Sequence, residues 1–150
     1  MDHEHDIDLA SGVSAFEAKH FSRAMQLLSP HAQIGNAEAQ YRLGIMYQNG
    51  LGTVHNSALA FRWMQEAAQQ NHGLAHHGLG FMYLEGNCVD RDDRKAADCF
   101  ARGVEQGLEG SMIALAQLYE EGRGVERDRH RAQVLYQQAG LAEPKIPSPE

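Results

Sequence analysis

Residues 43–50 read L-G-I-M-Y-Q-N-G, residues 79–86 read L-G-F-M-Y-L-E-G and residues 115–122 read L-A-Q-L-Y-E-E-G. The three stretches stand 36 residues apart without a slip in register, and a fixed period of this length marks a chain built from repeated helical units. Ala60, Ala96 and Ala132 recur at the same offset, which carried backward lands on Ala24.

Each unit reads as two helices. Ala39, Leu43, Met46 and Tyr47 form one apolar stripe at helical spacing, and Ala75, Leu79, Met82 and Tyr83 repeat it. Gly50, Gly86 and Gly122 then stop the first helix, because a helix commonly ends on a residue in the left-handed conformation. A loop follows. Asn56, Asp92 and Asp128 stand four residues before the recurring alanines and suit N-caps of the second helices. Ala60, Trp63, Met64 and Ala67 supply the stripe of one second helix, and Ala132, Leu135, Tyr136 and Ala139 that of another.

Gly44, Gly80 and Ala116 fall in mid-helix, where glycine costs about 1 kcal/mol relative to alanine. Close approach of the paired second helix, with its own small Ala60, Ala96 or Ala132, offsets that cost. The recurring tyrosines are expected to close the wedge between neighbouring units.

The segments G-I-M-Y-Q-N-G-L-G from Gly44 to Gly52 and A-Q-L-Y-E-E-G-R-G-V from Ala116 to Val125 resemble the Sel-one-like repeat family, a relative of the tetratricopeptide repeats. The resemblance covers residues 37–140. Upstream, Phe16, Phe21, Ala24, Leu27 and Leu28 resemble a tetratricopeptide-like unit with a shorter turn at Ala18 to Phe21. It implies an all-α solenoid of about eight helices in antiparallel pairs, wound as a right-handed superhelix. The expectation is a single domain over 1–150, with units at 6–35, 36–71, 72–107 and 108–141. A tail, 142–150, is either disordered or covering. Cys88, at the second glycine of the loop G-x-G, departs from the family pattern, as do Thr53 and the pair Gly103 and Val104.

In such a superhelix the first helices line the concave face. On a tetratricopeptide-like register the groove positions are Tyr41, Ile45 and Gln48, then His77, Phe81 and Leu84, then Ile113, Gln117 and Glu120, with Ala10, Ser14 and Glu17 added by the first unit. This face is apolar and aromatic at its middle and acidic towards its ends. It suits a protein or peptide carrying apolar anchors and a basic flank. The competing reading is that Ile45 and Phe81 pack between adjacent first helices. The function expected is that of a non-enzymatic adaptor or scaffold.

Composition bounds the rest. The chain has 150 residues, 13 Lys and Arg against 20 Asp and Glu, and a net charge of −7. Nucleic acid is disfavoured as a partner, since phosphate backbones are held largely by cations. Most of the cations lie beyond Asp90. The segment Arg123 to Arg131, where Glu126 and Asp128 interrupt four arginines, reads as a solvated loop and helix start. The acidic, histidine-bearing start from Met1 to Asp8 argues against a secretory signal, and its leading tract reads as a frayed terminus. No apolar run reaches a membrane span. Two cysteines suit a reducing, cytoplasmic setting. Some secreted members of the family that the chain resembles staple each repeat by a disulfide, but no other unit here repeats the pair Cys88 and Cys99. Cys99, at the position of Trp63, reads as a small buried apolar residue.

No nucleophile elbow, phosphate-binding loop, H-E-x-x-H or C-x-x-C motif is present, so no catalytic residue, metal or cofactor is implied. The alternative is a small-molecule or metal site, sensory or enzymatic, built on His77 with His72 and His76. It lacks a third ligand at a convincing position. At the far end, Val134, Leu135, Tyr136 and Leu141 present apolar surface with no successor unit. Either the tail covers it through Ile146 between Pro144, Pro147 and Pro149, or two chains pair there as a weak homodimer.

Overall fold

The computed structural model describes residues 3–141, with side chains from residue 8 onward. It contains α1 (His3–Glu17), α2 (Phe21–Gln33), α3 (Ala37–Asn49), α4 (Ser57–Gln69), α5 (Gly73–Glu85), α6 (Asp93–Glu105), α7 (Glu109–Glu121) and α8 (Arg129–Gln138). Among the described residues there is no strand. Odd-numbered helices are the first helices of the units and even-numbered ones the second. Each helix packs chiefly on its neighbours in sequence, so α2, α4 and α6 each lie between their own first helix and that of the next unit.

The ends of the helices follow local chemistry. Asn56, Asp92 and Asp128 each accept the amide of the residue three positions on, at 3.0 Å, and so cap α4, α6 and α8. Gly50, Gly86 and Gly122 close α3, α5 and α7 in the left-handed region, with φ of 66°, 67° and 67°. Two residues further on, the loop turns left-handed again at Gly52 and Gly124. A Cβ there would strike the carbonyl of Phe21 or of Asp93, each at the start of the preceding second helix. Cys88 holds the corresponding place in the middle unit with φ of 68°, a strained conformation for a residue with a side chain.

At Gly44 the small residue does what the pattern requires. A Cβ on Gly44 would lie 3.3 Å from the Met64 amide and 3.4 Å from the Ala60 carbonyl, so the backbones of α3 and α4 are in near contact. Gly80 serves a different need, because a Cβ there would stand 2.7 Å from the Phe100 ring. Phe100, Leu28, Leu43, Met46, Met64, Met82 and Leu118 are the largest fully buried apolar side chains. They divide into two clusters, one around α1 to α3 with Trp63 and one running from α4 to α8. Tyr47 packs against both and Tyr83 is buried, edge-on to Phe61 of α4.

One expectation is corrected. Helix α1 begins at His3, inside the tract read from sequence as a frayed terminus, and is two residues longer than α2 to α7. The tract has no helix breaker, and acidic residues suit a first helical turn because they oppose the positive end of the helix dipole. The tail 142–150, with Pro144, Ile146, Pro147 and Pro149, lies outside the described residues. Of the apolar residues at the end of the array, Leu135 is buried, whereas Val134 and Leu141 are 41% and 46% exposed.

Candidate functional site: the face of the first helices

Neighbouring first helices are tied together by polar side chains. The Arg42 guanidinium of α3 bonds Glu38 at 2.9 Å, lies 3.7 Å from Glu17 of α1 and sits over the Phe16 ring. At the next junction His72, the residue before α5, accepts the Ala75 amide through Nδ1 at 3.2 Å and so caps that helix. With Nδ1 accepting, the proton is on Nε2, which donates to Glu38 at 2.8 Å across the unit boundary. The Tyr41 ring stacks on the same imidazole at 4.9 Å. Burial raises the Glu38 pKa, but the bonds from His72 and Arg42 outweigh it and hold the carboxyl below its usual value. At the third junction His77 Nδ1 pairs with the buried Ser111 hydroxyl of α7 at 2.9 Å. His77 also meets Phe81 and Phe100 edge-on, and burial pushes its pKa down.

The nine groove positions therefore divide by environment. Tyr41, Ile45, Phe81, Leu84 and Ile113 are half-buried and pack one side against the core, while Gln48 and His77 are half-buried polar groups. Gln117 and Glu120 are exposed. Glu120 accepts the Tyr136 hydroxyl of α8 at 2.6 Å, and burial together with this bond pushes that phenol up to about 12. In the first unit Ala10, Ser14 and Glu17 are exposed. None of these apolar positions is among the most exposed large hydrophobics, which are Ile34, Val54, Leu74, Val134 and Leu141. The middle of the face is thus a partly covered aromatic strip that runs across unit junctions.

The three histidines of the metal alternative are separately engaged: His72 with Glu38, His76 with Asn71 at 3.1 Å, and His77 with Ser111. Among the described residues no three His, Cys, Asp or Glu side chains converge as metal ligands. Cys88 and Cys99 are free thiols. Among the described residues no helix is long and apolar enough to cross a membrane. Sequence reasoning missed Arg42, Glu38 and Ser111. The i,i+4 spacing of Glu38 and Arg42 was a readable signal for the first two. For Ser111 there was none, since its role depends on a residue 34 positions away.

The Sel1 repeat profile matches residues 37–72, 73–108 and 110–143, the same three units that the helix pairs define. The chain belongs to the Sel1 repeat family. Sel1 repeat arrays generally serve as protein-interaction scaffolds, and the fold is typically non-enzymatic. The chain is 34% identical over 117 residues to a chitin synthase regulator of Malassezia restricta, covering 76% of itself and 8% of that protein. Its structure is similar to a protective antigen of uropathogenic Escherichia coli that displays the Sel1-like fold (TM-score 0.85, 32% identity, 91% of this chain and 30% of that one). It is also similar to a Sel1 repeat protein from Oxalobacter formigenes (TM-score 0.84, 28% identity, 89% and 53%). The fold alone is shared with cysteine rich protein B of Helicobacter pylori (TM-score 0.63, 20% identity, 81% and 86%). The chain thus spans a small part of the curated relative and about a third and a half of the first two structures.

Proposed function

We propose that this Sel1 repeat chain is a non-enzymatic adaptor that holds a peptide segment of a protein partner along the face of its first helices. The observation that carries this reading is the strip of Tyr41, Ile45, Phe81, Leu84 and Ile113, each resting one side on the core and half-exposed on the other. Such side chains are held in place before a partner arrives, so docking costs little side-chain entropy. Exposed Glu17 at one end and Glu120 at the other favour a partner with basic flanks around its apolar anchors. A relative named as the regulator of a synthase supports a role exerted through another protein. The two free thiols suit a reducing, cytoplasmic setting.

The test is selection from a random peptide display library on the immobilised protein. Selected peptides should carry apolar anchors next to Lys or Arg. They should lose most of their affinity for a Tyr41→Ala, Phe81→Ala double variant whose circular dichroism matches wild type, since single interface anchors often carry over about 1 kcal/mol. Peptides that bind the folded double variant as tightly as wild type would place the adaptor surface elsewhere.

A further inference from the structure

On the other side of the molecule, between the second helices α4 and α6 and floored by α5, lies an open cavity of about 700 Å³. Its origin is legible in the repeat register. The apolar floor is made by Ala68, Leu79 and Cys99. Cys99 occupies the place held by Trp63 one unit earlier and by Leu135 one unit later. The Trp63 indole is buried in the cluster that contains Leu28 and Ala32 of α2, so in that unit the equivalent space is filled from within. A thiol in place of an indole leaves the space between α4 and α6 open. Burial pushes the Cys99 thiol up to about 11, so it stays protonated and acts as an apolar wall rather than a nucleophile.

Charge surrounds this floor. Asp98, Arg102 and Glu105 line the cavity and are exposed, and none of the three makes a hydrogen bond or ion pair among the described residues. Asp98 and Arg102 both act on the Cys99 thiol, and Arg102 and Glu105 both act on the His76 ring, so the two signs of charge converge on one space. The remaining lining is largely amide. A single-sign ligand would satisfy one set and oppose the other.

We propose that this cavity binds a small zwitterionic aromatic molecule of the aromatic amino acid class. Its ring lies over Ala68, Leu79 and Cys99, where Trp63 supplies an indole one unit earlier. Its carboxylate pairs with Arg102, and its ammonium faces Asp98 and Glu105. The site is separate from the face of the first helices and stands or falls independently of the adaptor reading.

The test is titration of the whole purified chain, followed by NMR, with L-tryptophan and with two analogues that each keep one charge, tryptamine and indole-3-propionate. Tryptophan should bind saturably and at least about tenfold more tightly than either analogue, the effect of one charge-assisted bond. Arg102→Gln, at an exposed position that leaves the fold intact, should bring tryptophan down to the wild-type tryptamine level without weakening tryptamine, which has no carboxylate for Arg102 to hold. Cys99→Trp should refill the space from within and abolish binding while keeping a wild-type circular dichroism spectrum. The proposal is overturned by absence of saturable tryptophan binding up to about 10 mM, or by tryptamine binding as tightly as tryptophan. It is equally overturned by unchanged tryptophan affinity in Arg102→Gln or in a folded Cys99→Trp.

Discussion

Gly103 of α6 and Ser111 of α7 are packed so closely that a Cβ on the glycine would strike the Ser111 hydroxyl and stand 2.7 Å from its Cβ. The missing side chain is what admits Ser111 to the core, where its hydroxyl meets His77 of α5. Three helices from two units therefore meet at one buried polar contact. Gly103→Ala gains about 1 kcal/mol of helix propensity, yet it forces Ser111 out of place. The net result expected is a loss of about 1 to 3 kcal/mol, as for other overpacked positions, read as a lowered urea midpoint. A stabilised variant would mean that the α6 to α7 contact yields easily.

The unit boundary at His72 separates two effects. His72→Ala removes both the α5 cap and the bond to Glu38, with an expected loss of about 1 to 3 kcal/mol. His72→Asn should recover the capping part only, because Asn36 caps α3 from the equivalent position at 2.9 Å. Equal losses in the two variants, measured by chemical denaturation, would show that the cap contributes nothing.

Acid should weaken the fold in two stages. Burial depresses the His77 pKa below its ordinary 6.5, and burial followed by the nearby Arg102 depresses that of His76. A depressed folded-state pKa contributes stability that is complete above the unfolded value and lost as pH falls through the folded one. Urea midpoints should therefore decline as pH drops below about 6.5, and His77→Asn should flatten that decline. Glu38, also depressed, adds a second loss below its ordinary 4.5. A midpoint constant from about pH 7.5 to about pH 5 would contradict the burial of His77.

Leu79 lies between its paired helices and is 6% exposed. Leu79→Ala should cost about 2 to 5 kcal/mol. With the four described helix pairs in contact through nearest neighbours, the loss should appear as one cooperative transition moved to lower denaturant. A midpoint that barely moves would contradict its place in the core.

Local rules made the architecture legible. The period located every helix from α2 onward, because caps such as Asp92 and stops such as Gly86 act within a few residues of where they stand. The candidate face was legible as a set of positions but not as an environment. Whether Phe81 is open or covered depends on Phe100 of α6 and His77 of its own helix. The polar ties were hidden for the same reason, since His72 with Glu38 and His77 with Ser111 each join residues 34 positions apart. The 36-residue pattern reports what the units share, and these pairs are what makes each junction different: Asn36, His72 and Leu108 stand at equivalent places before α3, α5 and α7.

Photo-crosslinking reports whether a partner segment lies along the first helices. A photoreactive amino acid placed singly at the exposed Gln117, or at Arg62 on the second-helix side, would be irradiated with a selected peptide bound. Peptide adducts are expected from position 117 and none from position 62. Adducts from position 62 alone would place the partner on the second helices instead.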